Sequence, residues 1–132
     1  LIDKYYPNIK VNLLVSNHNY KKLIIQCKLY QPNYIYLNNN KYYKILKSKI
    51  SKKIKILDFN DLKNYLLENY SDYTVLSIHG YESINYLKYI ILNTKNLGLV
   101  NKECIVSAGH LVKNLLLKNI KRIETIKINL RF

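Results

Sequence analysis

The sequence predicts an open α/β fold: a mostly parallel sheet with helices on both faces. Three observations lead there. Short β-branched runs alternate with longer amphipathic ones along the whole chain. The segments between the candidate strands carry helical spacing over about 10 to 15 residues, which suits crossover connections and parallel pairing rather than hairpins. Asn, Pro and Gly fall at the junctions between the runs. The chain has 132 residues, 48% of them apolar, enough for one domain with a core. No internal repeat, long linker or second-domain boundary is visible.

Taken in order, Lys10–Val15 reads as a strand and Asn19–Tyr30 as a helix. Leu23, Ile24 and Cys27 face inward on that helix, with Tyr30 a further candidate. Pro32 forbids its continuation, and Tyr34–Leu37 follows as the second strand. The run Asn38-Asn39-Asn40 is a loop signal and a possible cap for a helix over Lys41–Ile50. Lys53–Leu57 is the third strand. Asp58 or Asn60 can cap the helix Asp61–Tyr70, whose Leu62, Tyr65 and Leu66 share a face. Thr74–Ile78 is the fourth strand and ends in His79-Gly80. The helix Ser83–Thr94 carries Ile84, Leu87 and Ile91 at helical spacing, with Tyr86 or Ile90 beside them. Leu97–Val100 is the fifth strand, Glu103–Leu117 the next helix, and Ile123–Ile128 a sixth strand candidate.

The formal charge of +14 raises the possibility of a nucleic-acid partner, since lysine and arginine neutralise phosphates and release counterions. Two features weigh against it. Lysine outnumbers arginine 20 to 2, and arginine is the better bidentate reader of phosphate and guanine. The lysines are also scattered, with short clusters only at Lys47–Lys55 and Lys113–Arg122. Lys, Asn, Ile and Tyr dominate together while alanine occurs once, at Ala108, a combination that AT-rich codons encode. What survives is electrostatic attraction for anionic ligands. No apolar run approaches the roughly 20 residues of a membrane-spanning helix, and the first residues lack the regions of a signal peptide. With Leu1 first and no Met anywhere, the chain is expected to be part of a longer product.

Two cysteines, Cys27 and Cys104, are too few and too far apart for a zinc or disulfide framework. Cys27 falls on an apolar helix face and is expected to be a buried, reduced thiol. Cys104 has no evident base partner for a nucleophilic role. There are three glycines and no G-x-G-x-x-G. Gly80, at the end of the fourth strand, either lets a ligand approach the backbone or simply makes a strand-to-helix turn. Gly98 reads as a turn residue entering the fifth strand. Gly109, inside a helix, is accounted for by close helix–sheet packing.

The most informative segment is LGLVNKECIVSAGHLV, Leu97–Val112. It delivers Asn101, Lys102 and Glu103 to a helix N-terminus at a strand end, where ligands collect in open α/β folds. An ordinary junction would use similar residues, with Asn as a cap and Glu in the first turn. Spacing alone leaves both readings open.

The order of motifs adds to this. LVNKECIVSAGHLVKNLL resembles the A-N-K-E-S-[IL]-V-x-x-G region of the 1-deoxy-D-xylulose-5-phosphate reductoisomerase family. SIHGYESINYLKYIILNTKNLGLVNKE is similar to that family's strand, Gly-containing turn, helix and return strand. VNLLVSNHNYKKLIIQCKLYQPNYIYLNN is similar to its V-x-A-L-[VA]-A-x-x-N-x-x-x-L-x-x-Q-x-x-x-[FY]-x-P-x-x stretch. Pro7 fits the lead-in loosely. The blocks are in order over nearly the whole chain.

The resemblance implies a Rossmann-like domain that binds NADPH, incomplete at its N-terminus. It also implies an oxidoreductase and isomerase of the non-mevalonate isoprenoid pathway, which converts 1-deoxy-D-xylulose 5-phosphate to 2-C-methyl-D-erythritol 4-phosphate with Mg2+ or Mn2+. Carried over by position, Asn101 and Glu103 would contact NADPH and Lys102 the substrate. Asn17, His18 and Asn19 lie where the family often has Gly-Lys-Asn, a loop that reads the adenosine end of the cofactor. Asn17 thus replaces the glycine and His18 the lysine, a weaker phosphate partner near pH 7, although Lys21 and Lys22 are close in sequence. Gly80 is a further cofactor-binding candidate. The complete enzyme would be a homodimer with a small-molecule substrate and no membrane partner. Its compartment would be the cytoplasm of a bacterium with an AT-rich genome, or a plastid-type stroma.

Two family pieces are missing. The G-x-T-G-x-I-G pyrophosphate loop and its strand would lie before Leu1, and no Asp-Ser-Glu-His metal motif follows the last strand candidate. The expectation is therefore one partial NADPH-binding domain over residues 1–132, without metal ligands or the catalytic and C-terminal domains. By itself the chain should be inactive and bind NADPH weakly or not at all. The alternative from another class is a small, basic, ribosomal-type nucleic-acid-binding protein.

Overall fold

The computed structural model describes residues 6–78, 80, 82–100, 109–110 and 113–114. The chain divides into two compact units, Leu1–Leu62 and Lys63–Phe132. The first unit is a three-stranded parallel sheet in the order β1 (Leu13–Ser16), β2 (Tyr34–Leu37), β3 (Lys55–Leu57). Helix α1 (Tyr20–Tyr30) crosses from β1 to β2. A 3-10 turn at Asn40–Tyr42 followed by α2 (Tyr43–Lys49) crosses from β2 to β3.

Burial explains these elements. Central strand β2 is buried at Ile35, Tyr36 and Leu37, as a strand with neighbours on both edges should be. Alternation sends Ile35 and Leu37 to one face. There they share a core with Leu23 and Cys27 of α1, Leu46 of α2 and Ile54. Tyr36 points to the opposite face, where its ring lies 6.4 Å from that of Phe59. Each fully buried leucine here contributes about 2 kcal/mol through area removed from water. Cys27 is fully buried, and burial pushes its thiol up to about 11, so it is an inert core group.

Helix α1 ends at Gln31, which takes a left-handed conformation (φ 46°) and donates its backbone N–H to Cys27 O at 3.0 Å. Pro32 then keeps the chain from turning back into helix. Where one helix over Lys41–Ile50 was predicted, Asn39 opens a tighter 3-10 turn, its side chain accepting from Lys41 N at 3.2 Å, and α-helix begins only at Tyr43. Strand β3 starts two residues later than predicted, because Lys53 is in the turn that Ser51 closes by accepting from Ile54 N and Lys53 N.

Helix α3 (Phe59–Glu68) leads from the first unit into the second. Of the two candidate caps, Asp58 is used: its Oδ1 accepts from Asp61 N at 2.8 Å. In the second unit β4 (Ser71–Leu76) pairs in parallel with β5 (Thr94–Leu99), and α4 (Glu82–Leu92) connects them. Among the described residues of this unit, Leu76, Leu97 and the α4 residues Tyr86, Leu87, Ile90 and Ile91 are the buried apolar side chains.

The boundaries here differ from those predicted, for a non-local reason. Asn93 donates its side-chain amide to Leu66 O (3.0 Å) and Leu67 O (2.9 Å), which ends α4 against the last turn of α3. Thr94 then enters the sheet opposite Ser71, so β4 and β5 both begin three residues early. Gly98 is inside β5, opposite Val75, and is a strand residue rather than a turn. The predicted single sheet is present as two pieces, β1-β2-β3 and β4-β5, among the described residues.

Gly109, His110, Lys113 and Asn114 are helical, as expected for the helix over Glu103–Leu117. A Cβ placed on Gly109 would meet none of the described residues within 4 Å, so close packing against these does not account for that glycine. The rest of that helix and the Ile123–Ile128 strand lie outside the described residues. No described helix is long and apolar enough to cross a membrane.

Candidate cofactor-binding turn

The three strands of the first unit run the same way, so the turns that follow β1 and β2 lie at the same end of the sheet. The register brings them side by side. Ser16 pairs with Leu37, so the next residues, Asn17 and Asn38, face each other. Asn38 N donates to Ser16 O at 3.0 Å, Asn39 N to Asn17 O at 3.1 Å, and Asn38 Nδ2 to Asn17 Oδ1 at 2.8 Å. Asn38 is itself held: Tyr36, two residues back on the same face, donates its hydroxyl to Asn38 Oδ1 at 2.9 Å.

Asn19 forms the other side of this turn. Its side chain accepts from Lys22 N at 3.0 Å and its carbonyl from Leu23 N at 3.1 Å, which starts α1. Tyr20 in the first turn of α1 stacks on Tyr42, with ring centroids 4.3 Å apart and planes 18° apart. The two turns are therefore joined by hydrogen bonds on one side and a ring stack on the other. His18 is exposed between Asn17 and Asn19.

The charge around this turn is one-sided. From Lys4 to Leu57 there are twelve lysines and no carboxylate. The first turn of α1 carries Lys21 and Lys22, both exposed, and no acid, although a helix N-terminus favours negative charge. Helices α3 and α4 place Asp61 and Glu82 in their first turns. Donor groups and positive charge at a strand end are the right chemistry for an anionic, phosphate-bearing ligand.

The structure thus brings Asn17, His18 and Asn19 together in one turn. Gly80 belongs to the second unit, four residues beyond the end of β4 rather than at it. Its φ of +85° is a conformation that glycine adopts without strain, and its carbonyl accepts from Ser83 Oγ (2.7 Å) and Ser83 N (3.3 Å). It makes the turn that starts α4. A Cβ there would meet none of the described residues within 4 Å. Asn101, Lys102 and Glu103 lie outside the described residues. Among the described residues no three His, Cys, Asp or Glu side chains group as a metal site would require.

Tyr36 and Asn38, not singled out by the sequence, hold this turn through their side chains. The signal for them was that Asn38 is the first polar residue after a buried strand, and so falls at the sheet end where neighbouring turns converge.

A parallel α/β architecture with crossover helices and a polar, basic turn at its strand ends defines a Rossmann-like protein. The family model for 1-deoxy-D-xylulose 5-phosphate reductoisomerase matches residues 1–109. The chain belongs to that family.

The enzyme of that name from Pelagibacter ubique is 33% identical over 123 residues, covering 89% of this chain and 30% of the relative. The apicoplastic enzyme of Plasmodium falciparum is 30% identical over 111 residues, covering 80% of this chain and 23% of the relative. The chain thus spans less than a third of the length of these relatives. The Zymomonas mobilis enzyme, solved in complex with NADPH, superposes with a TM-score of 0.82 at 21% identity over 96% of this chain and 34% of that one. A reductoisomerase solved with NADPH, fosmidomycin and magnesium gives 0.78 at 22% identity, over 92% and 31%. At these identities the superpositions establish the shared fold.

Proposed function

We propose that this chain is the NADPH-binding portion of a 1-deoxy-D-xylulose 5-phosphate reductoisomerase, and that the turn Asn17-His18-Asn19 receives the adenosine end of the cofactor. The observation that carries this is the joined turn at the carboxyl ends of β1 and β2, set in an acid-free, lysine-rich stretch of a chain from this family. A dinucleotide whose ribose bears a free 2′-hydroxyl is held by a carboxylate near such a turn, and none occurs from Lys4 to Leu57. A 2′-phosphate instead needs N–H donors and positive charge, which His18, Lys21 and Lys22 supply beside the start of α1.

When bound, NADPH supplies the hydride for the reductive half of the reaction. Asn101 and Glu103 contact the cofactor, Lys102 stabilises negative charge on a substrate oxygen, and Gly80 leaves space at the start of α4 for the cofactor to approach. The substrate is 1-deoxy-D-xylulose 5-phosphate. A divalent cation, Mg2+ or Mn2+, is held by carboxylates of the complete enzyme that are not in this chain. Residues 1–132 act as a partial cofactor domain, active only together with the catalytic part of the enzyme. That enzyme is a homodimer in the bacterial cytoplasm or a plastid stroma.

The test is to express the complete open reading frame that contains this chain. Its product should oxidise NADPH only when substrate and Mg2+ or Mn2+ are both present, and the 132-residue chain should not. Sustained turnover by the chain alone would refute the division of labour. A complete product that binds NADH as tightly as NADPH would refute the reading of the turn.

A further inference from the structure

The turns after β1 and β2 are linked into a closed circuit. Asn39 N donates to Asn17 O at 3.1 Å, and the backbone runs on from Asn17 through His18 and Asn19 to Tyr20. Tyr20 stacks on Tyr42, with ring centroids 4.3 Å apart and planes 18° apart. From Tyr42 the 3-10 turn leads back to Asn39, whose carbonyl accepts from Tyr42 N at 3.3 Å and whose side chain accepts from Lys41 N at 3.2 Å. His18 lies within this circuit, its carbonyl accepting from Tyr20 N at 2.9 Å.

What the ring stack holds is the first turn of α1. Asn19, Lys21 and Lys22 are exposed, whereas Tyr20 is half-buried and packs, with Tyr42, against the core that contains Leu23, Cys27 and Leu46. The first turn is thus seated on the fold through one aromatic side chain. A leucine would suit a helix better than tyrosine and would also fill an apolar position. It would lack the flat faces that hold two rings in one relative orientation.

We infer that Tyr20 and Tyr42 are positioning residues: their stack fixes the start of α1, with His18, Lys21 and Lys22, beside the end of β2. It thereby favours a cofactor that bears a 2′-phosphate over one with a free 2′-hydroxyl. This rests on the proposal that the turn receives the adenosine end. A phosphate engages several donors at once, so its binding is strengthened when they are ordered beforehand. A ribose with a free 2′-hydroxyl makes fewer bonds to the turn and loses less when the turn is loosened. The rings act through the turn and need not touch the nucleotide.

The experiment compares NADPH and NADH dissociation constants, by fluorescence titration, for the product of the complete open reading frame and its Tyr42→Leu, Tyr20→Leu, Tyr42→Phe and double leucine variants. Melting curves are recorded alongside. Leucine removes the ring but keeps apolar bulk against the core, and phenylalanine keeps the ring. The preference for NADPH should fall about threefold in each single leucine variant. It should fall about threefold, not about ninefold, in the double variant, because either substitution breaks the same stack. Tyr42→Phe should keep the preference of the parent.

Affinity for both nucleotides falling in equal proportion would mean a structural role only and overturn the inference. So would an unchanged preference, additive effects in the double variant, or equal effects of leucine and phenylalanine at position 42. If one single leucine variant fails to fold, the other decides the matter; failure of both would show a structural necessity and overturn the inference. A parent protein that does not prefer NADPH would overturn the proposed function itself. A parent that does, with variants that keep its preference, would leave that function standing and overturn this inference alone.

Discussion

Lys22 occupies a position where isolated helix physics would place an acid. Asn19 caps α1 by accepting its backbone N–H, and a Glu three residues after the cap would reach back and complete a reciprocal pair. The lysine instead sets a positive side chain against the positive end of the helix. A residue that works against its own helix is expected where binding has shaped the sequence. Lys22→Glu should therefore stabilise the fold by about 0.5 kcal/mol, seen as a raised melting temperature, while weakening NADPH several-fold. Weakened stability or unchanged affinity would contradict this account.

Cys27 shows the opposite case, a reactive group made inert by packing. Its thiol is raised from 9.0 to about 11 by burial. The folded state thus holds its proton where the unfolded chain loses it. The contribution to stability is complete below pH 9 and is lost as pH rises toward 11. In a Cys104→Ser background, Cys27 should resist iodoacetamide at pH 8 in the native protein and react on unfolding. Urea midpoints should fall between pH 9 and 11 more steeply than in the same background carrying Cys27→Ala.

At the scale of elements, the pairing of β1 with β2 is bracketed by asparagines. Asn33 Nδ2 donates to Asn12 Oδ1 at 3.3 Å before the paired residues, and Asn38 Nδ2 to Asn17 Oδ1 at 2.8 Å after them. A slip of one residue would break both pairs and turn Ile35 and Leu37 out of the core. The strands themselves were legible, since Tyr34–Leu37 was placed correctly from the short apolar run Tyr-Ile-Tyr-Leu after Pro32. Their register was not, because it depends on residues 21 positions apart.

The junction at Asn93 teaches the same lesson. Helical spacing through Ile84, Leu87 and Ile91 gives no reason to stop before Thr94, yet two bonds to the end of α3 stop the helix there. Asn93→Ala should cost about 1–2 kcal/mol of stability, measured by urea unfolding. Gln31 is a simpler matter of backbone. In the left-handed region at φ 46° it is strained relative to glycine. Gln31→Gly should raise stability by about 0.5 kcal/mol, with part of the gain offset by the lost bond from its side chain to Lys28 O.

For the whole molecule, charge is the governing term. A net charge of +14 with twelve lysines and no acid from Lys4 to Leu57 leaves the first unit repelling itself. Raising ionic strength from about 0.01 M to about 0.1 M shortens the screening length from about 30 Å to about 10 Å. The melting temperature should rise over that range without cofactor, while NADPH affinity falls. A flat response of both would show that the lysines are independent, solvated charges. The composition that makes the chain look like a nucleic-acid binder occurs in a chain whose family is set by the match over residues 1–109; its use beside the turn after β1 is what the proposed function would give it.

The sequence by itself determined the class of fold, the order of elements, the buried thiol and the family. Each rests on information carried by neighbouring residues: hydrophobic period, a proline, a cap, or a run of motif positions. Tertiary structure decided where helices give way to strands, the register of β1 on β2, the two-piece sheet among the described residues, and the partnership of Asn17 with Asn38. These depend on hydrogen bonds between segments distant in the chain. A carboxamide accepts or donates according to what faces it, so the bond between Asn38 and Asn17 formed only when the fold brought the two turns alongside.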